Sequence, residues 1–389
     1  MRLQNYKFLR FAAPSNQRKV LLWRIIDCIK MLISLTSIAR FALISVVCFA
    51  HPSLVQKVYA QKRHAEVVFW NVENYFNPFS DSLQKDPAFT PQGANHWTWR
   101  RFIAKRDAIA KTIIAMGAEE LPVIIGLCEV EGRFALEQLV RQTPLASAEY
   151  RILHRDGRDV RGIDVAMLYR PDRFRPLLTR FLTVCLPQPT QHTREILYTK
   201  GVLDQLDTLH LFVNHWPSKW GGAKASAARR MAAVLRLRTS VDSIFALHPA
   251  ANIIIMGDFN DTYKSKVLQI FATGQTPRAL LALSEPRTSS SPQPLHNLSI
   301  PLARRKLGTI RYRGRWELID QFLVSENMLN PQEPISTSVE HFRIFSAPFL
   351  LIPDDKYLGM KPFRTYLGPR YQGGVSDHLP VMLRIERNY

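Results

Sequence analysis

The chain of 389 residues is 46% apolar and 22% charged, which excludes a disordered chain and allows one large core or two modest ones. Lys and Arg number 52 against 32 Asp and Glu, a net charge of +20. Half of it lies in residues 1–63, where 11 basic residues face one acid, Asp27; the remainder carries 41 minus 31, also +10. That excess suits a polyanionic partner such as nucleic acid, phosphoinositide or anionic membrane, and also a merely basic surface.

In chain order, Met31 to Ala50 is an apolar run broken only by Arg40, preceded by basic residues and followed by Val58-Tyr59-Ala60. This pattern predicts a signal peptide cut near Ala60 and an exported protein, periplasmic or secreted, with Met31 as an alternative start. An uncleaved membrane anchor is the alternative, because the run nearly reaches the length of a bilayer span. Cys28 and Cys48 fall in this leader. The remaining Cys128 and Cys185 are too few for a disulfide framework, and no Cys and His spacing resembles a zinc site.

Val67 to Trp70 reads as a strand running out into Asn71-Val72-Glu73-Asn74, with Asn71 and Glu73 two apart and able to face one side. Trp97 to Met116 reads as an amphipathic helix closed by Gly117, with Phe102, Arg106, Ile109 and Ile113 at helical spacing. Val123 to Leu127 is a second strand ending in Cys128-Glu129-Val130-Glu131. Arg133 to Val140 is a short helix. Tyr150 to Leu153 and Ile163 to Tyr169 form an antiparallel hairpin around a charged turn. No element is assigned from Arg170 to Asp207.

Thr208 to Asn214 alternates into His215-Trp216-Pro217-Ser218, and Ala225 to Leu247 is a long helix without Gly or Pro. Ile253 to Asp261, Ile-Ile-Ile-Met-Gly-Asp-Phe-Asn-Asp, reads as a strand covered on both faces that turns at Gly257 and delivers Asp258, Asn260 and Asp261 to its end. Thr273 to Pro301 reads as an inserted loop. Glu317 to Val324 is a strand carrying Asp320, and Phe342 to Tyr371 is aromatic and loop-like. Gly374-Val375-Ser376-Asp377-His378-Leu379-Pro380 leads into a last strand ending at Ile385.

Strand ends therefore offer Asn71, Glu73, Glu129, His215, Asp258, Asn260, Asp320, Asp377 and His378. Carboxylates crowded in this way repel one another unless a cation or a proton intervenes. The motifs Trp-Asn-Val-Glu-Asn, Gly-Leu-Cys-Glu-Val-Glu, Asn-His-Trp-Pro-Ser, Gly-Asp-Phe-Asn-Asp, Leu-Ile-Asp-Gln-Phe and Ser-Asp-His-Leu-Pro occur in series. In that order they resemble the endonuclease/exonuclease/phosphatase superfamily, in a deoxyribonuclease-like, secreted bacterial form, from about Glu66 to the end.

The resemblance implies an α/β fold, a four-layer sandwich of two mixed β-sheets flanked by helices, in a single catalytic domain over residues 61–389 behind a leader over 1–60. It implies hydrolysis of phosphate esters with magnesium, or manganese. Glu129 matches the family's principal metal ligand, with Asn71, Glu73 and Asp377 about the ion. Asp258 matches the group that orients or deprotonates water, and Asn260 the group that holds that water or a phosphate oxygen. His378 matches the donor to the phosphoryl oxygen, Asp320 the carboxylate fixing its ring, and His215 a general acid. Arg161, Lys219 and Arg229 are phosphate contacts or solvated loop charges.

Plainer readings stand beside these: Asn71 as a turn cap, Glu73 as a solvated acid, His215 as a packed histidine. Glu73 stands where many such nucleases have Asp, which lengthens its reach. The leading expectation is an endonuclease acting on DNA or RNA, with nucleic acid as substrate and no protein partner. Membrane contact is expected only through an uncleaved leader. A phosphoesterase for a small or lipid substrate is the alternative, using Phe342 to Leu351 as an apolar loop. A non-catalytic binding module is the third reading, which the complete set of acids and histidines opposes.

Overall fold

Alternation along each strand decides which core its side chains enter, because successive residues point to opposite faces of a sheet. In β1 (Ala65–Tyr75), Val67 and Phe69 face a second sheet, while Val68, Trp70 and Val72 face helices. The structure, a computed structural model, describes residues 64–79, 86–117, 120–188, 190–219, 222–273 and 293–388. The leader over 1–60, and 274–292 of the expected inserted loop, lie outside the described residues. Among the described residues no helix is long and apolar enough to cross a membrane.

After β1 come α1 (Trp99–Met116), β2 (Ile124–Val130), α2 (Gly132–Arg141), β3 (Arg151–His154), β4 (Asp164–Tyr169), β5 (Phe174–Leu182), β6 (Ile196–Leu203) and β7 (Asp207–His215). Then follow α3 (Ala223–Leu247), β8 (Asn252–Asp258), α4 (Lys266–Thr273), β9 (Leu295–Asn297), α5 (Ile300–Arg304), β10 (Ile310–Tyr312), β11 (Arg315–Glu317) and β12 (Asp320–Ser325). The chain closes with β13 (Ile335–Ser336), β14 (Phe342–Ile344), β15 (Leu351–Pro353), β16 (Met360–Pro362), β17 (Tyr366–Leu367), β18 (Arg370–Tyr371) and β19 (Val381–Arg387).

One sheet runs β13-β19-β1-β2-β4-β3, with β14 also on β19; the other runs β5-β6-β7-β8-β12-β9. Each holds one parallel pair, β1 with β2 and β7 with β8, flanked by antiparallel neighbours. Phe69, Cys128 and Met167 meet Val213, Ile254, Met256 and Phe322 between the sheets. Phe102, Ile109 and Ile113 of α1 and Leu136 and Leu139 of α2 cover the outer face of the first sheet. Val234, Leu237 and Val241 of α3 with Phe271 of α4 cover the second, against Phe212, Ile253 and Ile255. The result is the expected four-layer sandwich. Each such buried Val, Leu or Phe contributes about 1.5–3 kcal/mol relative to exposure.

Several local expectations need revision. β8 runs through Asp258 instead of turning at Gly257, and a Cβ at that glycine would lie 2.6 Å from Asn214 Cβ, so the requirement is close packing of β7 on β8. The segment read as loop up to Pro301 contributes β9, which pairs with β12 at the edge of the second sheet. The stretch left unassigned holds β5 and β6, and the aromatic stretch after Phe342 holds short hairpins.

Candidate active site

The two parallel pairs put the carboxyl ends of β1, β2, β7 and β8 at one end of the sandwich. Along β8 the face carrying Ile254 and Met256 continues to Asp258, so the inter-sheet core ends in a carboxylate. Strand register then sets His215 of β7 and Asp320 of β12 directly beside Asp258, one on each side. From the opposite sheet, Val67, Phe69 and Asn71 form the corresponding row. Glu129 enters by breaking the alternation. Its φ is 60°, and the pairing of β2 with β4 shifts register after Cys128. Glu73, Asn74 and Asn260 share this left-handed conformation, at φ 48°, 55° and 50°. Such backbone costs on the order of 1–3 kcal/mol per residue and is held only by surrounding bonds.

Those bonds are present. The Asn71 amide donates to Glu129 Oε1 at 3.3 Å and to Asp258 Oδ2 at 3.1 Å, while its Oδ1 accepts the Glu73 N–H at 2.9 Å. Asn74 N–H donates to Glu129 Oε2 at 3.0 Å, and Asn260 N–H to Asp258 Oδ1 at 2.8 Å. The Asn260 amide itself donates to the Trp216 carbonyl at 2.9 Å. His215 Nε2 lies 3.7 Å from Asp258 Oδ2 and 3.9 Å from Glu129 Oε1. His378 Nε2 lies 3.8 Å from the same Asp258 oxygen and 4.0 Å from Asp377 Oδ1. The other His378 nitrogen, Nδ1, is 2.7 Å from Asp320 Oδ2, which also accepts the Thr309 hydroxyl.

Burial pushes Asp258 up to about 7; Asp320 adds to the rise, while His378 and the bonds from Asn260 and Asn71 oppose it. Burial alone would lower His378, but the carboxylates of Asp320, Asp258 and Asp377 outweigh it and hold the ring well above the usual histidine range. His215 goes the other way, well below that range, through burial and the nearby Arg194, Arg161 and His378. Two histidines shifted in opposite directions thus face one carboxylate oxygen.

Asn71, Glu129, His215, Asp258, Asp320, Asp377 and His378 come together as expected from the strand ends. Glu73 is turned elsewhere. Its Oε2 accepts the Thr365 N–H at 2.6 Å, and Arg364 joins it to Asp377, at 3.5 and 3.0 Å. Burial, then Asp377, pushes Glu73 up to about 7 against the pull of Lys105 and Arg364. Arg161 donates to the Asn74 side chain beside Glu129. Lys219 Nζ pairs with Asp261 Oδ1 at 3.3 Å, and Arg230, the neighbour of Arg229 on α3, reaches the other Asp261 oxygen at 3.3 Å.

Sequence reading missed Arg194, whose guanidinium binds Asp159 at 3.1 Å and the Trp216 carbonyl at 2.9 Å; it stands outside any assigned element and no motif marks it. It also missed Lys105, fully buried, which donates to the Glu73 and Val375 carbonyls. There a signal existed: Lys105 interrupts the buried stripe Phe102, Ile109, Ile113 and Met116 of α1.

The donor set suits a hard divalent cation. Glu129 and Asp377 carry the more accessible carboxylates, whereas burial pushes those of Asp258 and Glu73 up despite the cationic His378, Lys105 and Arg364 beside them. Asp258, Asp320 and His378 also lie within chelating distance of one another, but the 2.7 Å bond between Asp320 and His378 already occupies two of those atoms.

A model of the Endonuclease/Exonuclease/phosphatase family matches residues 66–387. No curated protein matches the sequence. Among solved structures, a truncated TDP2 of Caenorhabditis elegans is 15% identical with a TM-score of 0.48, covering 83% of this chain and 97% of that one. An endonuclease/exonuclease/phosphatase from Bacteroides vulgatus is 15% identical with a TM-score of 0.48, covering 84% and 100%. The human Nocturnin catalytic domain with bound sulfate is 17% identical with a TM-score of 0.46, covering 83% and 94%. With six motifs in order and a family match across 66–387, the chain belongs to the endonuclease/exonuclease/phosphatase family.

Proposed function

We propose that the chain is a magnesium-dependent phosphodiester hydrolase that cuts DNA or RNA internally. The observation that carries this reading is the opposed pair of histidines about Asp258 Oδ2, at 3.7 and 3.8 Å, with Glu129 on the opposite sheet. Such a site can take a proton from water, hold charge on a phosphoryl oxygen and return a proton to the leaving oxygen. Magnesium, held by Glu129 and Asp377, would supply positive charge on the phosphate and lower the pKa of water.

In the proposed step, water attacks phosphorus and its proton passes to Asp258, whose pKa of about 7 suits a general base at neutral pH. The His378 imidazolium, fixed through Nδ1 by Asp320, donates from Nε2 to the phosphoryl oxygen. The ester P–O bond breaks, and the leaving oxygen takes its proton from His215. Burial first, then Arg194 and Arg161, lower His215, and a bound anionic phosphate would offset the two arginines and favour its protonated form.

Nucleic acid is favoured over a lipid because Phe342 to Leu351 contributes to the core: Phe342 and Leu350 are buried, and Phe345, Phe349 and Leu351 pack against the outer cluster. Arg161, Arg194 and Arg364 add positive charge about the carboxylates. The test is nicking of supercoiled plasmid with magnesium by the full chain and by Asp258→Ala. Nicking by the wild type alone supports the assignment. No nicking, together with turnover of a small phosphodiester lost in Asp258→Ala, would keep the site and overturn nucleic acid as substrate.

A further inference from the structure

We propose that His154, Asp156 and Asp164 bind a divalent transition-metal ion, zinc by their donor chemistry, at the neck of the loop between β3 and β4. This site is separate from the phosphoesterase reading and shares no residue with it.

The His154 imidazole ends β3 with one nitrogen in ion-pair range of a carboxylate but in no aligned hydrogen bond. His154 is the last residue of β3, its side chain is 2% exposed, and its Nε2 is buried without a hydrogen-bond partner. That atom lies 3.4 Å from Asp164 Oδ2 and 3.9 Å from Asp156 Oδ1. The three donor atoms lie within 4.8 Å of one another. Ligands bound to zinc at about 2.0–2.1 Å in a tetrahedron stand about 3.3 Å apart, so a small contraction would bring these three onto one ion. One imidazole and two carboxylates suit zinc, cobalt or manganese better than calcium or magnesium, which favour oxygen alone.

The rest of the site supports this. Asp164 opens β4 across the hairpin from His154, and its second oxygen, Oδ1, accepts the Gly157 N–H at 2.9 Å. That bond orients the carboxylate, as an outer partner does for a metal ligand. A Cβ on Gly157 would fall 2.5 Å from the same oxygen, so only glycine leaves it in place.

An ion here would tie together both ends of the loop over residues 155–163. That loop carries Asp159, which pairs with Arg194, and Arg161, which bonds the Asn74 side chain. The competing arrangement is His154 paired with the two carboxylates and no metal.

The two are separated by equilibrium dialysis of the full chain against zinc, in excess magnesium, and by the visible absorption of added cobalt. His154→Ala is expected to bind one zinc equivalent fewer than wild type. Asp156→Asn, whose side chain is 66% exposed and therefore removable without disturbing the core, should weaken that equivalent at least tenfold. Both should lose the tetrahedral cobalt band. Glu129→Gln should keep the equivalent and the band. Equal zinc uptake by wild type and Asp156→Asn would overturn the proposal, as would loss of the equivalent in Glu129→Gln. Should His154→Ala fail to fold, Asp156→Asn alone decides.

Discussion

Replacing Asp258 with asparagine keeps the shape of the side chain and removes its proton equilibrium. The carboxyl ionises at 3.8 in an ordinary setting and at about 7 in the folded protein. Between those values the native state keeps a proton that the unfolded chain has released, so this residue's contribution is present below pH 3.8 and is lost as pH rises through 7. The full span corresponds to roughly 4 kcal/mol. His378, whose charge Asp258 helps to hold, takes back part of this, so the expected gain of Asp258→Asn over wild type is about 2–4 kcal/mol between pH 4 and pH 8. The assay is urea unfolding of both proteins in chelator at half-unit steps of pH. Magnesium should then stabilise both proteins, because Glu129 and Asp377 remain in each, by about 2.7 kcal/mol at a hundred times its Kd. A stability difference that stays flat with pH would refute the account of a carboxyl raised by burial.

Asp320→Asn should lower kcat about 10²–10⁴-fold with little change in KM, because His378 loses both its orientation and the charge that raises it. The alkaline limb of the pH–rate profile should move to lower pH, and an unmoved limb would contradict the coupling. Lys105→Met should destabilise the protein by about 3–5 kcal/mol in equilibrium unfolding, since it strips the buried Glu73 carboxylate of a neighbouring cation; a loss under about 1 kcal/mol would show that the charge is dispensable. Chelation should abolish hydrolysis and magnesium or manganese restore it, so activity surviving exhaustive dialysis would count against the metal. Binding to nucleic acid should weaken steeply with salt, and a shallow dependence would argue for a small substrate.

The part of the architecture that could be read from sequence is the part with strong physical patterning. Ile253, Ile254 and Ile255 are apolar on both faces because helices cover one side of β8 and the other sheet covers the second, and polar residues after such a run mark where cover ends. The same logic locates Glu129 and His215, whereas Asp320 opens its strand and is marked only by its motif. β5 escaped because it is an edge strand interrupted by Pro176 and largely exposed, so nothing forces its residues to alternate. The direction of the Glu73 side chain is illegible for another reason. A left-handed φ redirects its side chain toward residues 364–366, nearly 300 positions away, and spacing along a strand carries no information about that.

The pairing of β1 with β19 has a consequence for the timing of synthesis. The Trp70 indole donates to the carbonyl of His378, 308 residues further on, and Ala65 pairs with Ile385. At about 5–20 residues per second, the first strand waits roughly 15–60 s for its neighbour to be translated. Until then a central strand is an open edge, and the closing contacts are among the slowest kind because they span nearly the whole chain. A chain that has not yet made β19 therefore keeps β1 as an adhesive edge and lacks the strand that follows His378.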